Sequence, residues 1–116
     1  MKEQYHGVFY GKARNLARRL TQTYNKVFAD YDLVVMPTTP QTAHAVPPMP
    51  EVDRAKHISE ALNMACNVAA FNLTGNPSIS VPCKNISGLP VGLMITGRSF
   101  DDATVLKAAH AYQIAQ

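Results

Sequence analysis

Apolar and polar positions change period several times along the chain, and each change marks an element. Tyr5, Phe9, Ala13, Leu16, Ala17, Leu20, Tyr24, Val27 and Phe28 recur at intervals of three and four. That spacing lines side chains along one stripe of a helix, so an amphipathic helix is predicted over residues 4–29. "DLVVMPTTP" follows, a short, continuous apolar run in which the β-branched Val34 and Val35 suit a strand covered on both faces, as in parallel or mixed sheets. Pro37 and Pro40 lack a backbone donor and should end its ladder. Residues 41–56 hold Pro47, Pro48 and Pro50 without any period, and read as a flexible Pro-rich loop.

The helical period returns with Ile58, Leu62, Ala65, Cys66, Ala69 and Ala70, predicting one helix over about 57–71. Its end is marked by Gly75, which can take a positive φ, and by Pro77. Ile79 and Val81 then alternate with serines over Ser78–Cys83, a half-buried strand. Val91–Thr96 forms a second strand, and "KNISGLP" between them predicts a hairpin with a loop longer than the tightest types. A last helix starts near Asp101 and Asp102, which suit a helix N-terminus, and carries Val105, Leu106, Ala109 and Tyr112 as its stripe. The fold class is therefore α/β, a mixed sheet segment with flanking helices in the order α-β-α-β-β-α, over a single domain of residues 1–116.

Composition narrows the class without naming an activity. At 116 residues and 47% hydrophobic, the chain reads as a soluble globular domain with a core of its own. No apolar run approaches the roughly 18 residues of a membrane span, and "MKEQYHGVFYG" lacks the unbroken apolar stretch of a signal peptide. Cys66 and Cys83 show no metal-ligand spacing and are expected as buried thiols in a reducing compartment, which makes the cytoplasm the default. The net charge of +3 is mild. Lys12, Arg14, Arg18, Arg19 and Lys26 form a basic side of the first helix, expected to be a solvated face because no glycine loop or interleaved aromatic accompanies it. No nucleic-acid or membrane partner is expected.

Motifs for chemistry are missing. His6, His44, His57 and His110 are scattered without a metal-binding or general-base context, and no phosphate-binding glycine loop occurs. The serines at 59, 78, 80, 87 and 99 sit in neither a nucleophile elbow nor an S-x-x-K spacing. Cys83, at a strand end, would be a nucleophile only if the fold brought a base to it. Catalytic residues, metal ligands and cofactors are thus all expected to be absent.

Four segments in order carry a likeness that none carries alone: Asp32–Pro40, "NLTGNPSISVPC" at 72–83, "GLPVGL" at 88–93 and "GRSFDDATVL" at 97–106. Together they resemble the C-terminal region of amidase signature enzymes, and the opening helix resembles the helix that precedes the family's strand. The resemblance implies an enzyme that hydrolyses carboxamides to a carboxylate and ammonia or an amine. The family does so with a Ser nucleophile, a second Ser joined by a cis peptide, a Lys base and an oxyanion hole on a Ser/Gly-rich loop. Those residues belong to the family's earlier portion, so the resemblance carries no catalytic residue onto this sequence and implies a segment inactive on its own.

By the same resemblance this region contributes strands and pocket walls. Thr38 and Thr39, just past a strand end, and Asn67 and Phe71, one helical turn apart, are the substrate-binding candidates. Loop capping and ordinary packing are the competing reading for all four. Family members acting on glutamine place an acid on the helix before "G-x-P"; here that helix carries Asn63 and Asn67, which favours a small neutral amide. The partners expected are the missing N-terminal amidase portion or, if the segment is a free-standing interaction domain, a second copy joined through open strand edges. An oligonucleotide ranks last. Coding sequence upstream of Met1 would separate a truncation from a genuine short protein.

Overall fold

The computed structural model describes residues 7–46, 53–86 and 88–116. The predicted start of the first helix and the middle of the Pro-rich loop lie outside the described residues. Seven elements follow one another: α1 (Val8–Asp30), β1 (Leu33–Pro37), α2 (Arg54–Met64), α3 (Cys66–Thr74), β2 (Ser78–Ile86), β3 (Leu89–Gly97) and α4 (Asp102–Ile114). The strands form one antiparallel sheet in the order β1-β3-β2.

β3 is the central strand because it alone pairs on both sides. Val35 faces Ile95 on one side and Ile79 faces it on the other, so these three share a face of the sheet. α4 covers that face over β2 and β3, where Val81, Ile95 and Ala109 form a buried cluster with Leu33, Ile79, Leu93, Ala108 and Tyr112 around it. Val105 comes so close that a Cβ on Gly97 would lie 2.6 Å from its Cγ2, so the glycine admits the helix. The predicted stripe of α4 is narrower than expected: Val105 and Ala109 are buried, whereas Leu106 is exposed. α4 packs mainly on β2 and β3, and Val35 of β1 is exposed. β1 is thus open on one face in this chain, not covered on both.

The other face bears Ser78, Ser80, Met94 and Thr96; α3 lies over it, and α1 packs against α3. Phe71 of α3 is buried and its ring lies 5.0 Å from that of Tyr24 on α1, which also approaches the ring of the buried Phe28. The N-terminal half of α1 has no such cover, and Val8, Tyr10 and Leu16 are exposed. The Cα radius of gyration is 17.8 Å, against about 13 Å for a compact domain of this length. The chain is a slab of 55 × 47 × 17 Å.

Local chemistry sets the element ends. The Asp53 carboxylate accepts from the Ala55 and Lys56 amides at the start of α2, and the Asp101 carboxylate accepts from the amide and hydroxyl of Thr104 at the start of α4. Gly75 ends α3 at φ 73°, its amide donating to the Phe71 carbonyl. Two expectations change. The helix predicted over 57–71 is two helices that meet at Ala65, whose amide bonds back to Leu62 at 3.2 Å in a tightened turn. The hairpin is tighter than expected: Ile86 pairs with Leu89, and the extra length of "KNISGLP" is absorbed by a bulge in β2 between Cys83 and Ile86. Gly88 in the turn has φ 80°, open to glycine without strain.

Candidate functional site

The polar face of the sheet, not its apolar face, holds the candidate site. Thr38 follows β1 and stays tied to the sheet through its amide, which donates to the Gly92 carbonyl at 2.8 Å. Across the central strand, the Thr38 Oγ1 and Ser80 Oγ lie 2.6 Å apart in a hydrogen bond. They meet because Gly92 lies beneath them: a Cβ there would fall 2.5 Å from the Ser80 hydroxyl and 2.7 Å from that of Thr38. A second pair, Ser78 Oγ and Thr96 Oγ1 at 2.8 Å, continues the row toward the far end of β3. Asn76 closes it, donating to the Gly97 carbonyl at 2.9 Å and accepting from the Thr74 hydroxyl at 2.6 Å.

A cavity of about 270 Å³ opens over this row, lined by Thr38, Phe71, Asn72, Asn76, Ser78, Ser80 and Met94, with Val68 and Ile79. Ser78, Ser80 and Met94 come from the sheet, and Val68, Phe71 and Asn72 from α3. Among the described residues no charged side chain lines it. Such a wall can orient a neutral polar ligand by hydrogen bonds while an apolar surface packs against it. The residues that line it include no general base beside a nucleophile.

Of the four sequence-derived candidates, Thr38 and Phe71 come together in this cavity. Asn67 stands behind the strand end, where its Nδ2 donates to the Pro37 carbonyl at 2.9 Å. It holds α3 against the end of β1. Thr39 turns away into a neighbouring cleft of about 300 Å³ with Pro37, Pro40, Gln41, Met64 and Val91, and its hydroxyl donates to the Gln41 carbonyl. Ser78, Ser80, Asn76 and Thr96 were not candidates in the sequence. The alternation of Ser78 and Ser80 with Ile79 and Val81 does put both hydroxyls on one face, and Gly92 inside a strand signals close approach at that point.

The cysteines lie apart from the cavity. Cys66, expected to be buried, is exposed at the start of α3 because no described element packs over it there. Cys83 is half-buried and its Sγ lies 3.1 Å from the Tyr112 hydroxyl. That hydrogen bond, with burial second, raises the Tyr112 pKa above its ordinary value of 10.0.

Comparison with known proteins joins these features. The family model described as Amidase matches residues 1–106, almost the whole chain. The chain belongs to the amidase family. Within that family, this chain is 49% identical over 107 residues to an uncharacterized protein in the nthA 5′ region of Rhodococcus erythropolis, covering 92% of this chain and 53% of that one. It is 44% identical over 114 residues to a glutamyl-tRNA(Gln) amidotransferase subunit of Brevibacillus brevis, covering 94% of this chain and 21% of its relative. The crystal structure of the corresponding glutamyl-tRNA(Gln) amidotransferase subunit from Thermotoga maritima superposes with a TM-score of 0.69 at 30% identity, over 90% of this chain and 22% of that one. The chain therefore spans about half of the first relative and about a fifth of the amidotransferase subunits. Among its described residues no helix is long and apolar enough to cross a membrane.

Proposed function

We propose that this chain forms one wall of the substrate cleft in an amidase signature enzyme that hydrolyses a small neutral carboxamide to a carboxylate and ammonia or an amine. The observation that carries the reading is the hydroxyl row over Gly92: polar, accessible and uncharged, with no base and nucleophile beside it. A neutral amide presents one acceptor and donors of its own, which such a row can match without an ion pair. Thr38 and Phe71 contact the substrate in this reading, Asn67 positions the end of β1, and Thr39 faces a leaving portion in the adjoining cleft. The Ser-Ser-Lys chemistry comes from an N-terminal amidase portion, and the 116-residue chain alone is inactive. Free Cys66 and Cys83 suit a reducing compartment, which supports a cytoplasmic enzyme.

The test is amide turnover by the pure chain, alone and after mixing with an N-terminal amidase portion. The expected result is no turnover alone and measurable turnover on mixing, with Thr38→Val raising KM more than it lowers kcat. Titratable hydrolysis by the pure chain would overturn the reading.

A second reading has its own support. Val8, Tyr10 and Leu16 on α1 are exposed, as is Phe100, which is 98% exposed at φ 65°. Both β1 and β2 are sheet edges. These apolar faces and edges suit a self-associating domain, and sedimentation showing a monomer without exposed apolar surface would refute it.

A further inference from the structure

Away from the cavity, the chain brings three metal-capable side chains together that lie apart in sequence. His44 comes from the loop after β1, and His57 and Glu60 lie three residues apart on α2. Residues at that interval share a helix face. The ligand atoms of all three lie within 4.8 Å of one another, and the His44 and His57 rings meet edge to face at 6.3 Å between centroids. His44 Nε2 is already 3.7 Å from Glu60 Oε2. Donors on a tetrahedral zinc stand about 3.3 Å apart, which follows from bonds of about 2.0–2.1 Å. Rotation of these partly exposed side chains supplies the remaining approach.

We propose that His44, His57 and Glu60 bind one divalent transition-metal ion of the zinc class, fastening the loop after β1 to α2. The two imidazoles are borderline donors, which favour zinc, nickel or copper over magnesium or calcium, and such a site accepts one carboxylate beside them. Three protein ligands leave a fourth position for water. Asp53 caps the same turn of α2 that carries His57, and the His57 amide bonds to the Asp53 carbonyl at 3.0 Å, so the helix half of the site is held in place by the backbone. The site is separate from the cavity over Gly92 and does not depend on the amide-hydrolysis reading.

Calorimetric titration of zinc ion into the untagged 116-residue chain tests it, with cobalt ion as a spectroscopic probe. The expected result is saturable one-to-one binding, weakened at least about tenfold by each of His44→Ala, His57→Ala and Glu60→Gln and unchanged by His110→Ala and Cys66→Ser. Cobalt should give visible bands of nitrogen and oxygen coordination without a thiolate charge-transfer band. His44 is on an exposed loop, so His44→Ala leaves the fold intact, and unchanged circular dichroism verifies that. Three results would overturn the proposal: no saturable binding, binding indifferent to His44→Ala and His57→Ala, or binding lost with Cys66→Ser.

Discussion

Alanine in place of Gly92 would put a methyl carbon 2.5 Å from the Ser80 hydroxyl, 2.7 Å from the Thr38 hydroxyl and 3.2 Å from the Thr38 Cβ. Ser80 can turn to another rotamer, but the Thr38 Cβ is part of a β-branched side chain whose amide is fixed to the Gly92 carbonyl. The strand must therefore shift or the Thr38–Ser80 bond must open. Inserting one methylene equivalent into a closed contact costs about 1–3 kcal/mol, and losing the hydroxyl pair adds about 1 kcal/mol. Replacing glycine in a strand offsets roughly 0.5–1 kcal/mol of this through the chain entropy it removes. The net expectation is a loss of about 1–3 kcal/mol, the upper part of the range applying if the strand cannot move.

Urea unfolding followed by circular dichroism reads this directly. With a slope near 2 kcal/mol/M, a loss of about 2 kcal/mol moves the midpoint by about 1 M at unchanged slope. Combining Gly92→Ala with Ser80→Ala removes the nearer hydroxyl, so the double variant should lose less than the sum of the single losses. A Gly92→Ala chain as stable as the parent, or a double variant with strictly additive losses, would refute the claim that the hydroxyls meet over a position that must lack a side chain.

Phe71→Ala should cost about 3–5 kcal/mol, because the ring is buried between α3 and α1; hydrogen exchange should show α1 losing protection before the sheet does. Asp53→Ala should remove about 1 kcal/mol by leaving the Ala55 and Lys56 amides without their acceptor, read as a lower thermal midpoint with β-sheet content unchanged. The raised pKa of Tyr112 makes its stabilisation complete below pH 10.0 and lost as pH climbs through the folded value. Ultraviolet titration, taken as a difference against Tyr112→Phe, should show this phenol ionising above 10.0, and Cys83→Ala should bring it back toward 10.0 because the thiol is the main cause.

What the sequence could show and what it could not divide along physical lines. Periodicity located the three strands and the first and last helices, since the spacing of Tyr24 and Phe28 or the alternation of Ile79 and Val81 is local information. The break at Ala65 left no trace, because nothing at that position forbids a continuous helix, and the contacts that fix the second helix, Phe71 in the core and Asn67 on the Pro37 carbonyl, are remote in sequence from their partners. Cover was equally unreadable. The apolar run of β1 and the stripe of α1 report that these surfaces suit burial, but whether they are covered depends on the packing of other elements, and Val35 and Leu16 are exposed.

The same distinction explains why the cavity was half visible. Thr38 and Phe71 could be picked out from their positions after a strand and within a helix, but Ser80 acquires its meaning only from being 42 residues from Thr38 in sequence and 2.6 Å away in space. The link between them is Gly92, a strand glycine whose lack of a side chain looks like a weakness when β3 is read alone. In the sheet it is the condition for two hydroxyls on opposite neighbouring strands to touch across the central one. A residue without a side chain thus lets the Thr38 and Ser80 hydroxyls meet at the cavity, and replacing it should separate them even where the fold survives.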